Sequence, residues 1–363
     1  CTSGGGQNDM FDKFSDLTTF TQVVSRLMVG EIRRRASSKT TENASQSIIE
    51  FLEMPSSLQS PSSDKKGWIL LSTLNLLVCS GCAPLIPIMT STSLPSTLVK
   101  CLYLFFDLPQ INEKESESKN DEVSQLERRL LLQRVFSQLL TRLCSSPAAL
   151  TELTRKDDLA LLFNAITSWC ARHNCIWRRT ASDVILTMAK NNVINSAYLH
   201  EKGCIAIFVE NMQRMSELGT TGTHDIVEML STLVIFLAEV TNSSPSSAHV
   251  LLDDFKTGMG YHFLVDFCIK LESSDENRSE LLEKVIGIIV QLAKVGISEL
   301  KLRPLSVNQL YIMKEFSMPK TNSKNSIRNL SAFNVFQTLW IRCKNEKLQE
   351  LILDAVITLY KDD

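Results

Sequence analysis

The chain has 363 residues, of which 44% are apolar and 21% are charged, which is the composition of a folded globular protein. Thirty-eight basic residues nearly balance 40 acidic ones and leave a formal net charge of −2, which excludes a strong overall attraction to nucleic acid or anionic lipid. The apolar runs are too short to cross a bilayer, so we expect no transmembrane helix.

The start of the chain, residues 1–9, is polar and lacks the apolar run of a signal peptide, so we predict a flexible lead there. Because the first residue is cysteine rather than methionine, we interpret the sequence as a fragment. Ten cysteines are scattered along the chain, and several lie in apolar helical segments where cysteine acts as a small hydrophobic residue. This usage favours a reducing compartment.

Apolar residues recur at three- and four-residue spacing in segment after segment, whereas period-two alternation over a full strand is hard to find. The sequence therefore predicts an all-α fold. The first helix is predicted at about 10–34, with three arginines at its C-terminal end, where cations suit the helix dipole. Its predicted apolar face consists of Phe11, Phe14, Leu17, Val24, Leu27 and Met28.

Thirteen further helices are predicted, with boundaries good to about two to four residues. They lie at about 41–53, 66–79, 95–107, 122–144, 156–171, 178–191, 203–215, 223–240, 246–256, 259–271, 277–296, 326–342 and 346–361. Polar, turn-rich segments predict loops near 55–66, 110–121, 241–248 and 302–325.

Three of these helices begin alike, with a polar or glycine residue followed by an apolar run, near residues 156, 202 and 258. Their spacing is irregular compared with the repeat of HEAT or armadillo units, so we predict a solenoid with degenerate repeats rather than a bundle. Residues 10–363 are thus predicted to form one armadillo/HEAT-like helical array, whose stacked helices bury a continuous core and can offer a groove to a partner.

Two groups of cysteines have spacings that metal or redox sites use. Cys79 and Cys82 form a CxxC pair, but the pair follows an apolar helix and two further zinc ligands are missing nearby. Cys170, His173 and Cys175 lie between two tryptophans at a helix-to-helix turn and lack a fourth ligand. For both groups we favour a structural role over a metal site.

No catalytic motif is recognisable in the sequence. The five histidines show no HExxH spacing, and there is no nucleophile elbow, Walker A sequence or GxGxxG. The adjacent carboxylates Asp157 and Asp158 are better placed to start a helix than to share a substrate bond. Trp68 opens a W-x-x-L pattern typical of autophagy-receptor peptides, but its apolar, helical context favours the core. We therefore expect no enzymatic activity.

Arg33, Arg34 and Arg35 could contact anionic lipid, nucleic acid or an acidic partner. The cluster is short and has no interleaved aromatic residues, so we favour a solvated helix end.

Several stretches form a recognisable pattern over nearly the whole chain. They are KFSDL at 13–17, SRLMV at 25–29 with EIRRRA at 31–36, PSTLVKCLYLFFDLP at 95–109, KDDLALLFNAITSWC at 156–170, LLDDF at 251–255 and ILDA at 352–355. These stretches resemble the N-terminal region of the autophagy-linked FYVE proteins, which are WD-repeat and FYVE-domain members of the BEACH family.

The resemblance implies a segment of a giant cytoplasmic scaffold that links ubiquitinated aggregates to the autophagy machinery at phosphatidylinositol 3-phosphate membranes. It implies that the zinc-containing FYVE finger, the BEACH and PH-like domains and the WD propeller lie outside this chain. We therefore carry over no catalytic, cofactor-binding or metal residue and no cofactor. The implied partners are autophagy adaptors or aggregate-associated factors, not nucleic acid, with membrane contact made by the rest of the longer protein.

The same resemblance leaves a second function open, because an immune-cell member of the family is a vesicle-trafficking regulator in antigen cross-presentation. Both functions would use the same helical segment.

Overall fold

The computed structural model describes most of the chain as helices. The described residues are 16–37, 41–56, 65–81, 83–106, 108, 124–155, 158–168, 170, 174–219, 222–272, 279–296 and 327–360. Within these ranges the chain forms α-helices and a 3-10 turn and no β-strand, so the predicted all-α class is confirmed. The lead predicted at 1–9 and the loops at 110–121 and 302–325 lie outside the described residues.

The chain divides into two compact units, residues 1–194 and 195–363. The helices of unit 1 are α1 (Leu17–Ser37), α2 (Thr41–Leu52), α3 (Lys66–Cys79), α4 (Ile86–Ser91), α5 (Leu94–Leu104), α6 (Gln125–Leu143), α7 (Pro147–Arg155), α8 (Asp158–Thr167) and α9 (Cys175–Lys190), with a 3-10 turn at Ala83–Leu85. The helices of unit 2 are α10 (Ser196–Glu201), α11 (Cys204–Leu218), α12 (Thr223–Ser243), α13 (Pro245–Thr257), α14 (Gly260–Glu272), α15 (Ser279–Ala293), α16 (Leu330–Arg342) and α17 (Glu346–Tyr360).

Unit 1 is built from two layers of stacked helices. In one layer α1 contacts α3, α3 contacts α6 and α6 contacts α9; in the other α2 contacts α5 and α5 contacts α8. Helices that are neighbours in a layer are separated along the sequence by one helix of the other layer and, for every pair except α1 and α3, also by a short helix, α4 or α7. This is the packing of armadillo and HEAT-type arrays, in which each helix pair buries its apolar face against the next pair.

The core of unit 1 is anchored by three fully buried aromatic rings on α6, α9 and the end of α5. Phe105, Phe136 and Trp177 lie with their ring centroids 5.2 to 5.6 Å apart in edge-on or tilted pairs. Beside them, the Gln133 amide donates to the Asn174 side-chain oxygen at 3.2 Å, and the Asn174 amide donates to the Leu108 carbonyl at 3.1 Å. These bonds satisfy buried polar groups that would otherwise destabilise the core.

A buried ion pair joins the segment after α2 to the first half of α6. The Arg129 Nε donates to the Glu53 carboxylate at 2.6 Å, and the two side chains are only 4% and 9% exposed. The helix that carries Arg129 begins at a capping box, in which Ser124 Oγ accepts from the Glu127 N–H and the Glu127 carboxylate accepts from the Ser124 N–H. Sequence-local capping thus fixes the start of the helix that the ion pair holds.

Unit 2 repeats the two-layer arrangement. One layer runs α12, α15, α17 and the other α11, α14, α16, each helix contacting the next. Asn329 caps α16 by accepting from the Ala332 N–H at 3.0 Å, and its side chain also bonds the Tyr261 hydroxyl. The Glu272 carboxylate at the end of α14 accepts from the N–H groups of Lys344 and Asn345 just before α17. Side chains therefore hold the turns that connect the layers.

Within the described residues, helix α12 is long and apolar enough to cross a membrane by length and composition. In its most apolar window, 56% of the residues are buried inside the protein, and α12 packs against α11, α13 and α15. A mostly buried helix of this kind is typical of a protein core.

The structure corrects four details of the helix prediction. The loop predicted at 241–248 is wrong, because α12 runs to Ser243 and α13 begins at Pro245, so that Ser244 alone connects them. Three short helices, α4, α7 and α10, were not predicted.

The prediction for the first helix was also wrong at one residue of its apolar face. Val24 and Met28 are buried as predicted, but Leu27 is 48% exposed. The buried side of α1 is centred instead on Met28 and Ile32, because α1 packs against α2, α3, α4 and α5. Phe11 and Phe14 lie outside the described residues.

Candidate functional site

The three arginines at the end of α1 do not form a patch of free cations. Arg34 donates to the Glu31 carboxylate at 2.5 and 3.1 Å, and Arg35 donates to it at 3.2 Å. Arg35 also donates to the Ser47 carbonyl at 3.1 Å and stands 4.6 Å above the Phe51 ring, both on α2. The Arg34 guanidinium lowers the pKa of Glu31 to about 2, more than its partial burial raises it. Of these three arginines, Arg33 alone is both exposed and outside any ion pair with the described residues.

The cysteines have structural surroundings where the structure describes them. Cys79 is the last residue of α3, and its thiol contacts the Asn75 side-chain oxygen at 3.5 Å. Cys170 is buried and Cys175 is the first residue of α9. A metal site in either cysteine group would need Cys82 or His173, and both lie outside the described residues, as does the flanking Trp169. Burial raises the pKa of three further thiols to about 12, which keeps them protonated: Cys101, Cys144 and Cys268.

Other charged clusters are local pairs. His224, Asp225 and Glu228 bring three possible metal ligands together in the first turns of α12, but all three are at least partly exposed, and His224 faces Glu228 at 3.6 Å as an i,i+4 pair. His200 Nδ1 lies 2.8 Å from the Asp254 carboxylate, which ties α10 to α13. Exposed acidic groups of this kind are common on protein surfaces without a bound ion, and in the part of the chain that the structure describes no buried group joins these three side chains.

Asp158, one of the two adjacent carboxylates, is buried in the first turn of α8, and its carboxylate lies 3.7 Å from the Lys100 ammonium of α5. Its role at a helix start agrees with the sequence interpretation. Asp157 lies outside the described residues. Trp68 is helical as predicted, but it is half-buried on α3 rather than in the core, with Ile69 exposed beside it.

A concave surface that can receive a partner lies in unit 2, between α11 and α14. This α11–α14 groove encloses about 400 Å³. Its floor is apolar, because the buried rings of Phe263 and Phe267 stack with centroids 5.4 Å apart and the exposed side chain of Met259 stands at its edge. The remaining lining residues are polar or charged: Gln213, Ser216, Glu217, His262, Asp266 and Lys270.

The rim of the α11–α14 groove holds charges of both signs. The Lys270 ammonium donates to the Ser216 carbonyl and so bridges the two helices at one end. The Asp266 carboxylate accepts from Arg342 of α16 at 2.9 Å, whereas Glu217 and His262 form no ion pair within the described part of the chain. An apolar floor with a mixed polar rim suits an amphipathic peptide segment better than a nucleic acid or a small anion.

Met259 has an unusual backbone conformation. It lies between α13 and α14 with φ of +63°, a left-handed value that is rare outside glycine, asparagine and aspartate. Its side chain is half exposed. A large apolar residue held in this costly conformation at the mouth of a groove is a candidate for contact with a partner.

A second groove in unit 1 lies between α6 and α9 and encloses about 330 Å³. Most of its lining residues are polar or charged, although the surface that they present to the groove is largely apolar, and the Thr180 hydroxyl donates to the Ser137 hydroxyl at 2.7 Å across the two helices. Arg142, Arg179 and Asp183 supply its charges. Burial raises the pKa of Asp183, opposed in part by Lys190.

Two helices also expose apolar pairs at i,i+4 spacing, away from their packed faces. On α1 the pair is Val23 and Leu27, and on α17 it is Leu353 and Ile357, each about half exposed. Such a pair is where another helix can pack, in the way that the helices inside each unit pack on one another.

Sequence reasoning predicted a groove from the solenoid class, but it did not locate the α11–α14 groove or single out Met259. The sequence predicted a helix start at Gly258-Met259-Gly260, but it did not predict that Met259 lies beside a groove. The sequence pattern did not predict that α11 packs against α14, because α12 and α13 lie between them along the chain.

The chain is similar to large proteins of known name. It is 28% identical over 354 residues to the WD repeat- and FYVE domain-containing protein 4 of Mus musculus, covering 96% of this chain. It is 26% identical over 300 residues to the Homo sapiens protein of the same name, covering 82% of this chain. The Protein SPIRRIG of Arabidopsis thaliana is 21% identical over 296 residues. The predicted resemblance to the WD-repeat and FYVE-domain proteins is therefore confirmed.

The chain spans about a tenth of the length of the curated relatives it matches. No family model matches the chain. Among solved structures, the crystal structure of an engineered protein covers 87% of this chain at 13% identity and a TM-score of 0.36. The comparisons relate this chain to one segment of these much longer proteins.

Proposed function

We propose that this chain is a non-catalytic helical scaffold segment of a large BEACH-family adaptor that acts in selective autophagy of protein aggregates. The α11–α14 groove carries this proposal. It offers an apolar floor and a polar rim between two stacked helices, and within the described residues no nucleophile, base and oxyanion donor converge on it. Support for the family context comes from the similarity to the two WD repeat- and FYVE domain-containing relatives over most of the chain.

The occupant of the groove is an amphipathic segment of a partner, an autophagy adaptor or an aggregate-associated factor. Its apolar side chains would cover Met259 and the Phe263–Phe267 stack, and its polar side chains would meet Glu217 and His262 at the rim. A volume of about 400 Å³ is at the small end of binding pockets and suits a few side chains rather than a whole domain. The segment itself would act in the cytoplasm, and the lipid-binding modules of the longer protein would bring it to autophagic or endosomal membranes.

Proximity labelling in cells tests this proposal with one substitution. In Met259→Asn the apolar side chain is lost, while asparagine tolerates the left-handed conformation, so folding is preserved. We expect the wild-type chain to label autophagy adaptors, and we expect this labelling to be at least fivefold weaker with Met259→Asn. The matched control is Ile341→Asn, which removes an exposed apolar residue of α16 outside the groove.

The outcomes separate the alternatives. Equal labelling by Met259→Asn and wild type would show that the groove is not the contact. Labelling of endosomal trafficking proteins in place of autophagy adaptors, with the same loss in Met259→Asn, would support the groove and assign the segment to vesicle trafficking.

A further inference from the structure

A serine with two arginines directly upstream stands at the C-terminal end of α1. In Arg34-Arg35-Ala36-Ser37 the arginines occupy the positions three and two residues before the hydroxyl. Arginine-directed serine kinases bind substrates through this spacing, because carboxylates of the kinase form charge-assisted, bidentate hydrogen bonds with the two guanidinium groups. We propose that Ser37 is a phosphorylation site for such a kinase, and that Glu31 controls its access.

The position of Ser37 satisfies the steric needs of an acceptor. It is the last residue of α1 and is exposed, and within the described residues its hydroxyl donates one hydrogen bond, to the Arg33 carbonyl at 2.8 Å. A kinase binds its substrate in an extended conformation, so the last turn of α1 must unwind. Helix ends open at much lower free energy than helix interiors, which makes this unwinding accessible.

The same structure restrains the two arginines that a kinase would read. Glu31 accepts from both Arg34 and Arg35, and Arg35 is held further by Ser47 and the Phe51 ring. A kinase must therefore replace the Glu31 carboxylate with its own carboxylates. Removal of the Glu31 charge should free the arginines and speed the reaction.

Phosphorylation would neutralise the net positive charge at the end of α1. The Ser37 hydroxyl oxygen attacks the γ-phosphorus of ATP, its proton passes to the catalytic base of the kinase, and the bond to ADP breaks. The product carries about −1.5 to −2 charges, which cancel the excess of three guanidinium groups over one carboxylate. Arg33, four residues before Ser37 on the same side of the helix, can pair with the phosphate and offset its repulsion from the helix C-terminus.

The test uses the 363-residue chain, radiolabelled ATP and the catalytic subunit of cyclic-AMP-dependent kinase, with the site mapped by mass spectrometry. We expect phosphate on Ser37 and its loss in Ser37→Ala, while Ser38→Ala and Ser331→Ala, which remove serines with one arginine three residues upstream, are phosphorylated like wild type. Phosphate on Ser38 or Ser331 instead of Ser37 would overturn the assignment. So would a chain that stays unmodified while a peptide of residues 28–43 is phosphorylated.

The role of Glu31 has its own readout. Glu31→Gln should raise kcat/KM for the folded chain about twofold, the effect expected from one or two exposed helical ion pairs. The control is Glu50→Gln on α2, an exposed carboxylate that contacts Gln46 rather than an arginine. An unchanged kcat/KM in Glu31→Gln, with unchanged circular dichroism, would show that Glu31 does not control access.

Discussion

Replacement of Glu53 by glutamine is expected to destabilise unit 1 strongly, although the change removes no apolar contact. Within the described part of the chain, the Arg129 guanidinium pairs with Glu53 alone, at 2.6 Å, and both side chains are almost fully buried. The Arg129 Nη1 has no hydrogen-bond partner among the described residues. Glu53→Gln would therefore leave a charge in the core with no counter-charge.

The expected loss in the free energy of unfolding follows from the burial of the Glu53–Arg129 ion pair. Breaking a buried ion pair by removal of one partner costs about 3–5 kcal/mol, since the remaining charge keeps its desolvation penalty. Replacement of both residues, as in Glu53→Leu with Arg129→Met, removes both charges and should cost about 1 kcal/mol or less. The matched control is Glu210→Gln, which breaks an ion pair with Arg214 whose side chains are more than 60% exposed, and should cost at most about 0.5 kcal/mol.

Urea unfolding followed by tryptophan fluorescence is the assay. Three of the four tryptophans, Trp68, Trp169 and Trp177, belong to unit 1, so fluorescence reports mainly on that unit while circular dichroism reports on both. We expect the fluorescence midpoint to fall sharply in Glu53→Gln and to recover in the double variant. Glu210 lies in unit 2, so the control variant is followed by circular dichroism; a loss in Glu53→Gln no larger than in Glu210→Gln would refute the reasoning from burial.

Three further predictions concern backbone approach, pH and thiol reactivity. Gly67→Ala should lower the free energy of unfolding, measured in urea, by about 1–3 kcal/mol, because an added Cβ would lie 1.8 Å from the Phe51 carbonyl oxygen. Gly30→Ala is the control: it has open space around the added Cβ and should stabilise α1 by about 0.5–1 kcal/mol. Glu31→Gln should cost about 0.5 kcal/mol at pH 6, because Arg34 is largely exposed. The pairing lowers the pKa of Glu31 from 4.5 to about 2, so this difference in stability should shrink as pH falls through that window and be absent below it; a constant difference would contradict the linkage. Iodoacetamide at pH 8 should label the native chain at half-exposed Cys79 long before it labels the buried thiols of Cys101, Cys144 and Cys268, because only a thiolate reacts. Mass spectrometry would show the order of labelling, and equal rates would contradict the protonated, buried state of these three thiols.

The fold class followed from the sequence because amphipathic helices leave a periodic pattern that no other element shares. Helix α3 was predicted with the observed limits, Lys66–Cys79, since its apolar run ends in a Ser-Gly turn. Helix α7 was not predicted, although it begins at Pro147 and proline is favoured at the first position of a helix. The one-residue connection at Ser244 was missed because Pro245 was assigned to a loop, whereas it starts a helix there.

Burial and pairing were harder to predict than helices. Leu27 satisfies the apolar spacing of α1, yet packing against four other helices turned it to the surface. The arginines at 33–35 were recognised as a helix end, but their ion pairs with Glu31 depend on i,i+3 and i,i+4 geometry, and the contacts of Arg35 depend on α2. The α11–α14 groove depends on pairing between helices distant in sequence, which periodicity does not encode.

The most direct measurement of the scaffold proposal is site-specific photo-crosslinking in cells from the rim of the α11–α14 groove. A photoreactive phenylalanine analogue is placed at Glu217, an exposed helical position on the rim, and in a control chain at Ile341, exposed on α16 outside the groove. The account predicts a crosslink from position 217 to an autophagy adaptor or aggregate-associated protein that is absent from position 341 and is lost when Met259→Asn is added. The same crosslinked proteins at both positions, or none above background at position 217, would contradict it.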